Sequence, residues 1–176
     1  MNAITILKSQ KKYMLNLSTE RLQFRQWTEA DYTAVKDFFS KEENAMFVGG
    51  AQKPEAAWRL IATYVGHYQL KGYSYLALET QSDQQLVGTV GLWKSEPWPE
   101  HEMGYWLLPH MQGKGFGSEA GKMVLKHAKS IGLPSLVSYI DPRNEPSKKL
   151  ALGIGAKLDQ TIELLDFGPH EVYRYW

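Results

Sequence analysis

The sequence contains no cysteine among its 176 residues, and this absence excludes several kinds of site at once. Without a thiol the chain has no disulfide framework, no thiolate-bound metal and no cysteine nucleophile. Its histidines also lack the spacing of metal ligands, and they form no cluster with Asp or Glu in the sequence. We therefore predict a site without a metal ion, in which no acyl group is carried on a protein thiol.

Long apolar runs and runs of one charge are missing as well. No segment approaches the ~20 apolar residues that cross a bilayer, and the first residues lack the apolar core of a secretory signal. The 20 basic and 19 acidic residues are mixed along the chain and leave a net charge of +1. This balance disfavours an extended surface for nucleic acid or a membrane. We expect a cytoplasmic monomer or homodimer with neither of these as a partner.

The apolar fraction of 43% is enough for one domain with its own core. We predict a single domain over residues 1–176, in which residues 1–17 form an N-terminal extension. Strands are predicted at residues 21–27, 73–79, 85–94, 102–108, 136–140, 157–165 and 171–176, and helices at 29–39, 54–70, 117–130 and 145–152. The second helix is predicted to bury Trp58, Ile61, Val65 and Tyr68. These elements indicate an α+β fold with a mixed, mostly antiparallel sheet and flanking helices.

Three glycines in five positions stand between a predicted strand and a predicted helix. The loop reads Gln112-Gly113-Lys114-Gly115-Phe116-Gly117. Glycines let the backbone approach a ligand closely and turn its N–H groups inward, and the start of a helix adds the positive end of its dipole. The loop is therefore predicted to bind a diphosphate.

Several ordered features around this loop resemble the GNAT N-acetyltransferase superfamily. Gln112-x-x-Gly115-x-Gly117 is similar to the Arg/Gln-x-x-Gly-x-Gly/Ala loop of that superfamily. The preceding strand, Gly104-Tyr105-Trp106-Leu107, and the helix start, Ser118-Glu119-Ala120, fit the same pattern. Asn144-x-x-Ser147 follows the next strand, as it does in the superfamily.

The start of the chain resembles one branch of the superfamily. Thr19-Glu20-Arg21-Leu22, followed by Arg25, is similar to the opening strand of ribosomal-protein N-terminal acetyltransferases. The resemblance spans residues 18–176 and implies acetyl-CoA as the acyl donor and a primary amine as the acceptor. The acceptor is expected to be a protein N-terminal α-amine or a small amino compound, which attacks directly in a ternary complex.

The resemblance also implies where the diphosphate of coenzyme A binds. Main-chain N–H groups from Gln112 through Gly117 are expected to hold it, and side chains at Gly115 and Gly117 would obstruct it. Lys114 either adds positive charge near the phosphates or is an ordinary surface lysine.

The pantetheine arm is expected at the end of the preceding strand. Pro109 interrupts the ladder at the point where the superfamily lets two parallel strands separate, which exposes the backbone of Leu107 and Leu108. The N–H of Leu107 is then expected to stabilise the negative charge that grows on the thioester oxygen, a contribution of typically ~3 kcal/mol.

Transfer to an ammonium group requires a base to remove one proton. Glu102 is the first candidate because it lies on the strand that enters the cleft; the alternative is a solvent-facing carboxylate. His101 has the opposite strand parity and is expected to face away from Glu102. Glu100 is expected in a turn.

The departing thiolate accepts a proton from a tyrosine in many family members, seven residues after the asparagine that matches Asn144. That position is Ala151 here. Ser147 lies one turn earlier and is the candidate acid and a candidate contact of coenzyme A, unless its hydroxyl only satisfies backbone groups. Asn144 is expected either to bind the pantetheine amides or to cap its helix.

Aromatic residues around the central strands are candidates for the wall of the acceptor pocket, unless they only build the core. They are Trp93, Trp98, Tyr105 and Trp106. The loop at residues 46–50 is expected to flank the acceptor.

Two other functions fit parts of the pattern. Gly115-x-Gly117-x-x-Ala120 also fits a dinucleotide-binding fingerprint, with Asp141 near the place of a ribose-binding acid. Against an oxidoreductase, residues 109–112 separate the strand from the glycines. The missing tyrosine at Ala151 leaves a second alternative, an acetyl-CoA-binding sensor that has lost catalysis.

Overall fold

The computed structural model describes residues 17–176, so the predicted extension at residues 1–17 lies outside the described residues except for Leu17. Seven strands form one sheet. The strands are β1 (Leu22–Arg25), β2 (Tyr75–Thr80), β3 (Leu86–Trp93), β4 (Glu102–Leu107), β5 (Val137–Ile140), β6 (Lys157–Glu163) and β7 (Pro169–Arg174). The helices are α1 (Tyr32–Phe39), α2 (Glu42–Ala45), α3 (Pro54–Lys71), α4 (Phe116–Ser130) and α5 (Glu145–Gly153). Every predicted element is present with slightly different ends, and α2 lies where the sequence predicts a loop.

The strand order in the sheet is β1-β2-β3-β4-β5-β7-β6. Neighbouring strands are antiparallel everywhere except at β4 and β5, which are parallel. The predicted α+β fold with a mixed, mostly antiparallel sheet is therefore confirmed.

The parallel pair is joined at one end only. Glu102 and Val137 are its single registered pair, and the N–H of Val137 donates to the carbonyl of His101 at 3.0 Å. The Ser138 hydroxyl donates to the carbonyl of Met103 at 2.6 Å. Beyond this point β4 continues to Leu107 without a partner on the β5 side, so the sheet opens between the two strands.

The two faces of β4 carry different layers because successive side chains of a strand point to opposite sides. Met103 lies against Gly121 of α4 on one face. Trp106, on the other face, stacks on Phe38 of α1 with 4.6 Å between ring centroids. The open end of β4 is thus covered by helices on both faces, which leaves a protected cleft rather than a bare edge.

The predicted buried face of α3 is partly wrong. Ile61 and Tyr68 are buried as predicted, and the other buried residues of the helix are Ala57, Tyr64 and His67. Trp58 is predicted to be buried but is 47% exposed. Trp58 instead contacts Tyr32 edge to face at the surface. The spacing from Ala57 to Tyr68 is also helical, and the sequence pattern alone does not distinguish the two faces. Within residues 17–176 no helix is both long and apolar enough to cross a membrane.

An ion pair between the partly exposed Arg25 and the buried Asp31 fixes β1 to the turn that leads into α1. Thr28 and Asp31 form a capping box around a one-turn 3-10 helix, so α1 begins at Tyr32 rather than directly after Thr28. Arg25 donates two hydrogen bonds of 2.8 Å to Asp31 and also contacts Glu79 of β2. Arg25 therefore has a structural role in the sheet.

Candidate active site

The glycine loop and the start of α4 carry a row of unpaired N–H groups. Gly113 and Gly115 have φ angles of 74° and 80°, which place both in the left-handed region that favours glycine. Gly115 is the N-cap of α4. The predicted row is wrong at its first member, because the Gln112 N–H donates to the Pro109 carbonyl at 3.3 Å. The consecutive main-chain N–H groups from Gly113 to Ser118 donate to no acceptor within residues 17–176. These groups converge at the positive end of a helix dipole, an arrangement that suits an anion.

Gly117 has a structural reason to be glycine besides the predicted approach of a phosphate. A Cβ atom at this position would lie 2.6 Å from Leu150 Cδ1 of α5. The absence of a side chain at Gly117 therefore lets α4 and α5 pack closely. Lys114 is exposed beside these glycines.

A clamp from the start of the chain holds the loop, and sequence reasoning missed it. The Glu119 carboxylate in the first turn of α4 accepts hydrogen bonds from the Thr19 hydroxyl and from Arg21 Nε, the latter at 2.7 Å. Arg21 Nη1 donates to the Lys114 carbonyl at 3.1 Å, and its guanidinium lies over the Phe116 ring. Arg21 and Glu119 each belong to a motif that resembles the superfamily, but only the tertiary structure shows that the two motifs contact each other.

The end of β4 leaves one N–H directed toward the opening. The N–H of Leu108 donates to the Val87 carbonyl of β3 at 2.9 Å. Because alternate residues of an antiparallel strand face the same neighbour, the N–H of Leu107 points toward the β5 side. Gln112 Nε2 donates to the Leu107 carbonyl at 2.9 Å, which ties the glycine loop to this point. Pro109 then begins a single 3-10 turn.

A cavity of about 380 Å³ lies across the opening between β4 and β5. Side chains from both strands line it, as do Phe47, Val48 and Gly49 of the loop predicted to flank the acceptor. Its wall includes the four predicted aromatic residues, Trp93, Trp98, Tyr105 and Trp106. Asn144 and Ser147 line the side of the cavity formed by α5.

Glu102 is at the wall of this cavity and is not a solvent-facing carboxylate. Its side chain is only 7% exposed, and its Oε2 accepts a hydrogen bond of 3.1 Å from the Tyr75 hydroxyl. Burial raises the pKa of Glu102 to about 7, although the bond from Tyr75 favours the ionised form. A carboxylate with such a pKa can accept a proton at neutral pH and release it again.

Two glycines make room for Tyr75, which the sequence analysis did not identify. Tyr75 of β2 is in register with Gly91 of β3, and Gly91 is in register with Gly104 of β4. A Cβ atom at Gly104 would lie 2.3 Å from the Tyr75 hydroxyl oxygen. The tyrosine ring therefore crosses the sheet over the glycine in β4 and reaches Glu102.

The two neighbours of Glu102 in sequence have other contacts. His101 contacts Tyr73 edge to face, and burial together with nearby lysines lowers its pKa. Glu100 accepts hydrogen bonds of 2.9 and 2.8 Å from Arg174 of β7 and one of 2.8 Å from Ser135. The Arg174 guanidinium lowers the pKa of Glu100 to about 2. Glu100 thus anchors the start of β4 instead of facing the cavity.

Ser147 is coupled to a tyrosine that comes from β4. The Tyr105 hydroxyl lies 2.7 Å from Ser147 Oγ and 3.1 Å from the Ser147 carbonyl oxygen. Asn144 Oδ1 accepts a hydrogen bond of 3.2 Å from the Ser147 N–H, so Asn144 caps α5. Ala151 is fully buried beside Ile140. The Ser147 hydroxyl forms no hydrogen bond to the backbone of α5, so the alternative that it only satisfies backbone groups of its helix is not supported.

A family model described as an acetyltransferase (GNAT) domain matches residues 21–157. The chain belongs to the GNAT acetyltransferase family. An N-acetyltransferase of Bacillus subtilis (strain 168), named uncharacterized N-acetyltransferase YoaA, is 30% identical over 143 residues, which are 79% of this chain and 81% of that protein. The predicted superfamily and the predicted N-acetyltransferase are confirmed.

Solved structures of GNAT proteins share the fold. An acetyltransferase from Agrobacterium tumefaciens str. C58 has a TM-score of 0.83 and 30% identity, over 91% of this chain and 93% of that one. RimL, a ribosomal L7/L12 α-N-protein acetyltransferase in complex with coenzyme A, has a TM-score of 0.73 over 90% of this chain and 96% of that one. At 17% identity, the similarity to RimL shows a shared fold and nothing more.

The dinucleotide alternative does not fit this GNAT sheet. A dinucleotide-binding fold has a mostly parallel sheet, whereas here only β4 and β5 are parallel. Asp141 lines the same cavity as Glu102 and accepts three hydrogen bonds from Arg143, two from its guanidinium at 3.0 and 2.7 Å and one from its main-chain N–H at 2.8 Å. In the part of the chain that the structure describes, no three His, Asp or Glu side chains are grouped to hold a metal ion.

Replacing Glu102 by glutamine is expected to stabilise the protein at and above neutral pH. The pKa of Glu102 is about 7 in the folded protein, against 4.5 for an ordinary glutamate, so ionisation destabilises the fold increasingly between those two pH values. The Glu102→Gln side chain does not ionise, so the stability of the variant does not fall for this reason as the pH rises. Its free energy of unfolding should exceed that of the wild type by about 3 kcal/mol above pH ~7 and by little below pH ~4.5. Urea denaturation across this pH range measures the difference.

Glu100→Gln is the matched control and should show the opposite sign. Because Arg174 lowers the pKa of Glu100 to about 2, the ionised carboxylate stabilises the fold above pH ~4.5, and this contribution is lost as the pH falls through about 2. The control should therefore be less stable than the wild type at neutral pH. A Glu102→Gln variant that is less stable at pH ~8 would contradict the buried, raised-pKa carboxylate.

Proposed function

We propose that this GNAT protein transfers the acetyl group of acetyl-CoA to a primary amine by direct attack in a ternary complex. The observation that carries the proposal is the cavity that spans the opening between β4 and β5. Glu102 of β4 and Ser147 of α5, the candidate base and the candidate acid, both line this cavity. The N–H of Leu107, the candidate oxyanion donor, is directed to the side of β4 where β5 has separated.

The glycine loop is proposed to bind the diphosphate of acetyl-CoA. The unpaired N–H groups from Gly113 to Ser118 donate to its oxygens, and the dipole of α4 adds to the attraction. The Arg21–Glu119 clamp keeps the loop in this conformation, since Arg21 already holds the Lys114 carbonyl outward. The pantetheine arm then lies along Leu107 and Leu108, where β5 has separated from β4.

Glu102 is proposed to act as the general base. One carboxylate oxygen is bound to Tyr75, and the other takes a proton from the acceptor ammonium, so that the neutral nitrogen can attack the thioester carbon. The Leu107 N–H donates to the thioester oxygen while that oxygen carries negative charge. As the carbon–sulfur bond breaks, the nitrogen releases its second proton to solvent, and the proton held by Glu102 leaves to solvent as well.

Ser147 is proposed to protonate the departing thiolate, and Tyr105 to position it. The single hydrogen of the Tyr105 hydroxyl must turn from the Ser147 carbonyl to Ser147 Oγ, and the hydrogen of Ser147 is then free to point at the sulfur. The serine recovers its proton from solvent after the product leaves. This pair stands in for the tyrosine that many family members have at the position of Ala151.

Gly115→Val is expected to weaken acetyl-CoA binding at least about tenfold, because a branched side chain blocks approach to the N–H row. Gly132→Val is the matched control. Gly132 has a φ angle of 73° and no atom within 4 Å of a built Cβ, so both variants carry a similar backbone cost. Isothermal titration calorimetry compares the two affinities. Equal affinities would place the diphosphate elsewhere and overturn this part of the proposal.

Glu102→Gln is expected to lower kcat by about 100-fold while the affinity for acetyl-CoA is unchanged. In the wild type, kcat/KM for the amine should rise with pH through about 7 as Glu102 loses its proton. The variant should lose this rise and keep only the rise due to the acceptor amine itself. Turnover is followed as free thiol with a panel of amines. Unchanged turnover would remove Glu102 from the mechanism.

Tyr105→Phe is expected to lower kcat about five- to tenfold, the effect of one lost hydrogen bond, without changing KM for acetyl-CoA. Because Tyr105 acts through Ser147, the double variant with Ser147→Ala should be no slower than Ser147→Ala alone. Tyr173→Phe is the control, since it removes a buried hydroxyl bonded to Glu171, away from the cavity. Additive losses would show that Tyr105 does not work through Ser147.

A catalytically silent acetyl-CoA sensor is the second candidate, and the buried Ala151 in place of a tyrosine favours it. Binding of acetyl-CoA at the loop without thiol release for any amine of the panel would support the sensor. Thiol release that depends on both an amine and Glu102 would exclude it.

A further inference from the structure

The cavity at Glu102 carries negative charge and no fixed positive charge. Its lining residues include two carboxylates, Glu102 and Asp141, and one titratable ring, His170. Among the lining residues in the described part of the chain there is no lysine and no arginine. An anionic group inside the cavity would therefore lie near Glu102 without a counterion.

The cationic side chains that flank the cavity are engaged elsewhere. Arg143 is bonded to Asp141, and its guanidinium lies 5.9 Å from the centroid of the Phe47 ring. Lys94 Nζ donates to the main-chain carbonyls of Trp98 and Pro99. Neither cation can turn toward a ligand without breaking these contacts.

Aromatic rings form much of the remaining wall. Trp93 is stacked on Tyr75 at 5.4 Å and on His67 at 3.8 Å between ring centroids. Trp98 contacts Tyr139 and Phe167 edge to face. These contacts fix the orientation of the rings, which present apolar surface and, on their faces, partial negative charge that attracts an ammonium group.

We propose that the acceptor is a primary amine with an apolar or aromatic body and no carboxylate on the carbon next to the nitrogen. This inference rests on the proposed acetyl transfer and narrows its substrate class. This proposal excludes free α-amino acids as acceptors. The acceptors that remain are small amines without a carboxylate and the N-termini of peptides. The reason is electrostatic: a carboxylate in the cavity finds no cationic side chain in the wall that the structure describes and is repelled by Glu102, which must itself be ionised to act as the base.

The first test uses matched acceptors that differ in one group. With the full chain and saturating acetyl-CoA, thiol release at about pH 8, where ordinary histidines are neutral, gives kcat/KM for each. L-phenylalaninamide should exceed L-phenylalanine by about 100-fold, and L-leucinamide should exceed L-leucine similarly. 2-Phenylethylamine should also exceed L-phenylalanine, and because it is the more basic amine, its advantage cannot come from easier deprotonation. A tripeptide amide that begins with phenylalanine then separates a peptide N-terminus from a small amine as the preferred source.

A second test supplies the missing cation. Thr63 is exposed at the cavity wall on α3, and Thr63→Lys should raise kcat/KM for L-phenylalanine about tenfold relative to its amide. Ala62→Lys is the matched control, because Ala62 is exposed on the same helix and does not line the cavity. Ala62→Lys adds the same charge, and it should leave the ratio of kcat/KM for L-phenylalanine to kcat/KM for its amide unchanged.

The outcomes separate this inference from the proposed function. An amino acid used as well as its amide by the wild type, in any matched pair, would overturn the inference while acetyl transfer stands. A ratio that shifts equally in Thr63→Lys and Ala62→Lys would also overturn it, since the effect would then be one of overall charge. No thiol release with any acceptor, despite binding of acetyl-CoA, would overturn the proposed function and this inference together.

Discussion

Strands β4 and β5 are held together at one end and separate at the other, and the candidate site depends on this asymmetry. At the closed end the N–H of Val137 donates to the His101 carbonyl at 3.0 Å, and two hydrogen bonds from Arg174 to Glu100 attach the start of β4 to β7. At the open end Pro109 stops the strand. Without the closed end the strands would have no fixed separation, and without the open end Leu107 would pair with a neighbour. The same geometry therefore supplies rigidity and an accessible main-chain N–H.

The cavity contains a carboxylate that the fold would be more stable without. Burial of Glu102 favours its neutral form, yet a base must lose its proton to work. The structure reconciles these demands with one hydrogen bond from Tyr75, which is weaker than an ion pair. Had an arginine taken the place of this tyrosine, the pKa of Glu102 would be low and its affinity for a proton too small. The contrast with Glu100, two residues away and paired with Arg174, shows what that alternative would give.

The order of the elements, the glycine loop and Glu102 could be predicted because each rests on local information. Period-two and helical spacing identify strands and helices, and glycines before a helix indicate an anion site. Contacts between distant segments could not be predicted in this way. The bond from Tyr75 to Glu102 depends on the register of three strands, and the Arg21–Glu119 clamp joins segments 98 residues apart. The prediction of the buried face of α3 is partly wrong for the same reason. The elements that pack against α3 determine which of its two apolar faces is buried, and the sequence of the helix alone does not.

The glycines of the site follow from three different physical constraints, although they look alike in the sequence. Gly115 needs a left-handed backbone so that the loop can turn its N–H groups toward one point. Gly117 is small because Leu150 of α5 occupies the space of a side chain. Gly104 is small because the Tyr75 hydroxyl crosses the strand there on its way to Glu102. A substitution at each would therefore act differently: the first would alter the proposed anion site, the second the packing of two helices and the third the environment of Glu102. Family motifs that contain glycines thus combine ligand binding with packing, and only the neighbours of each glycine separate the two.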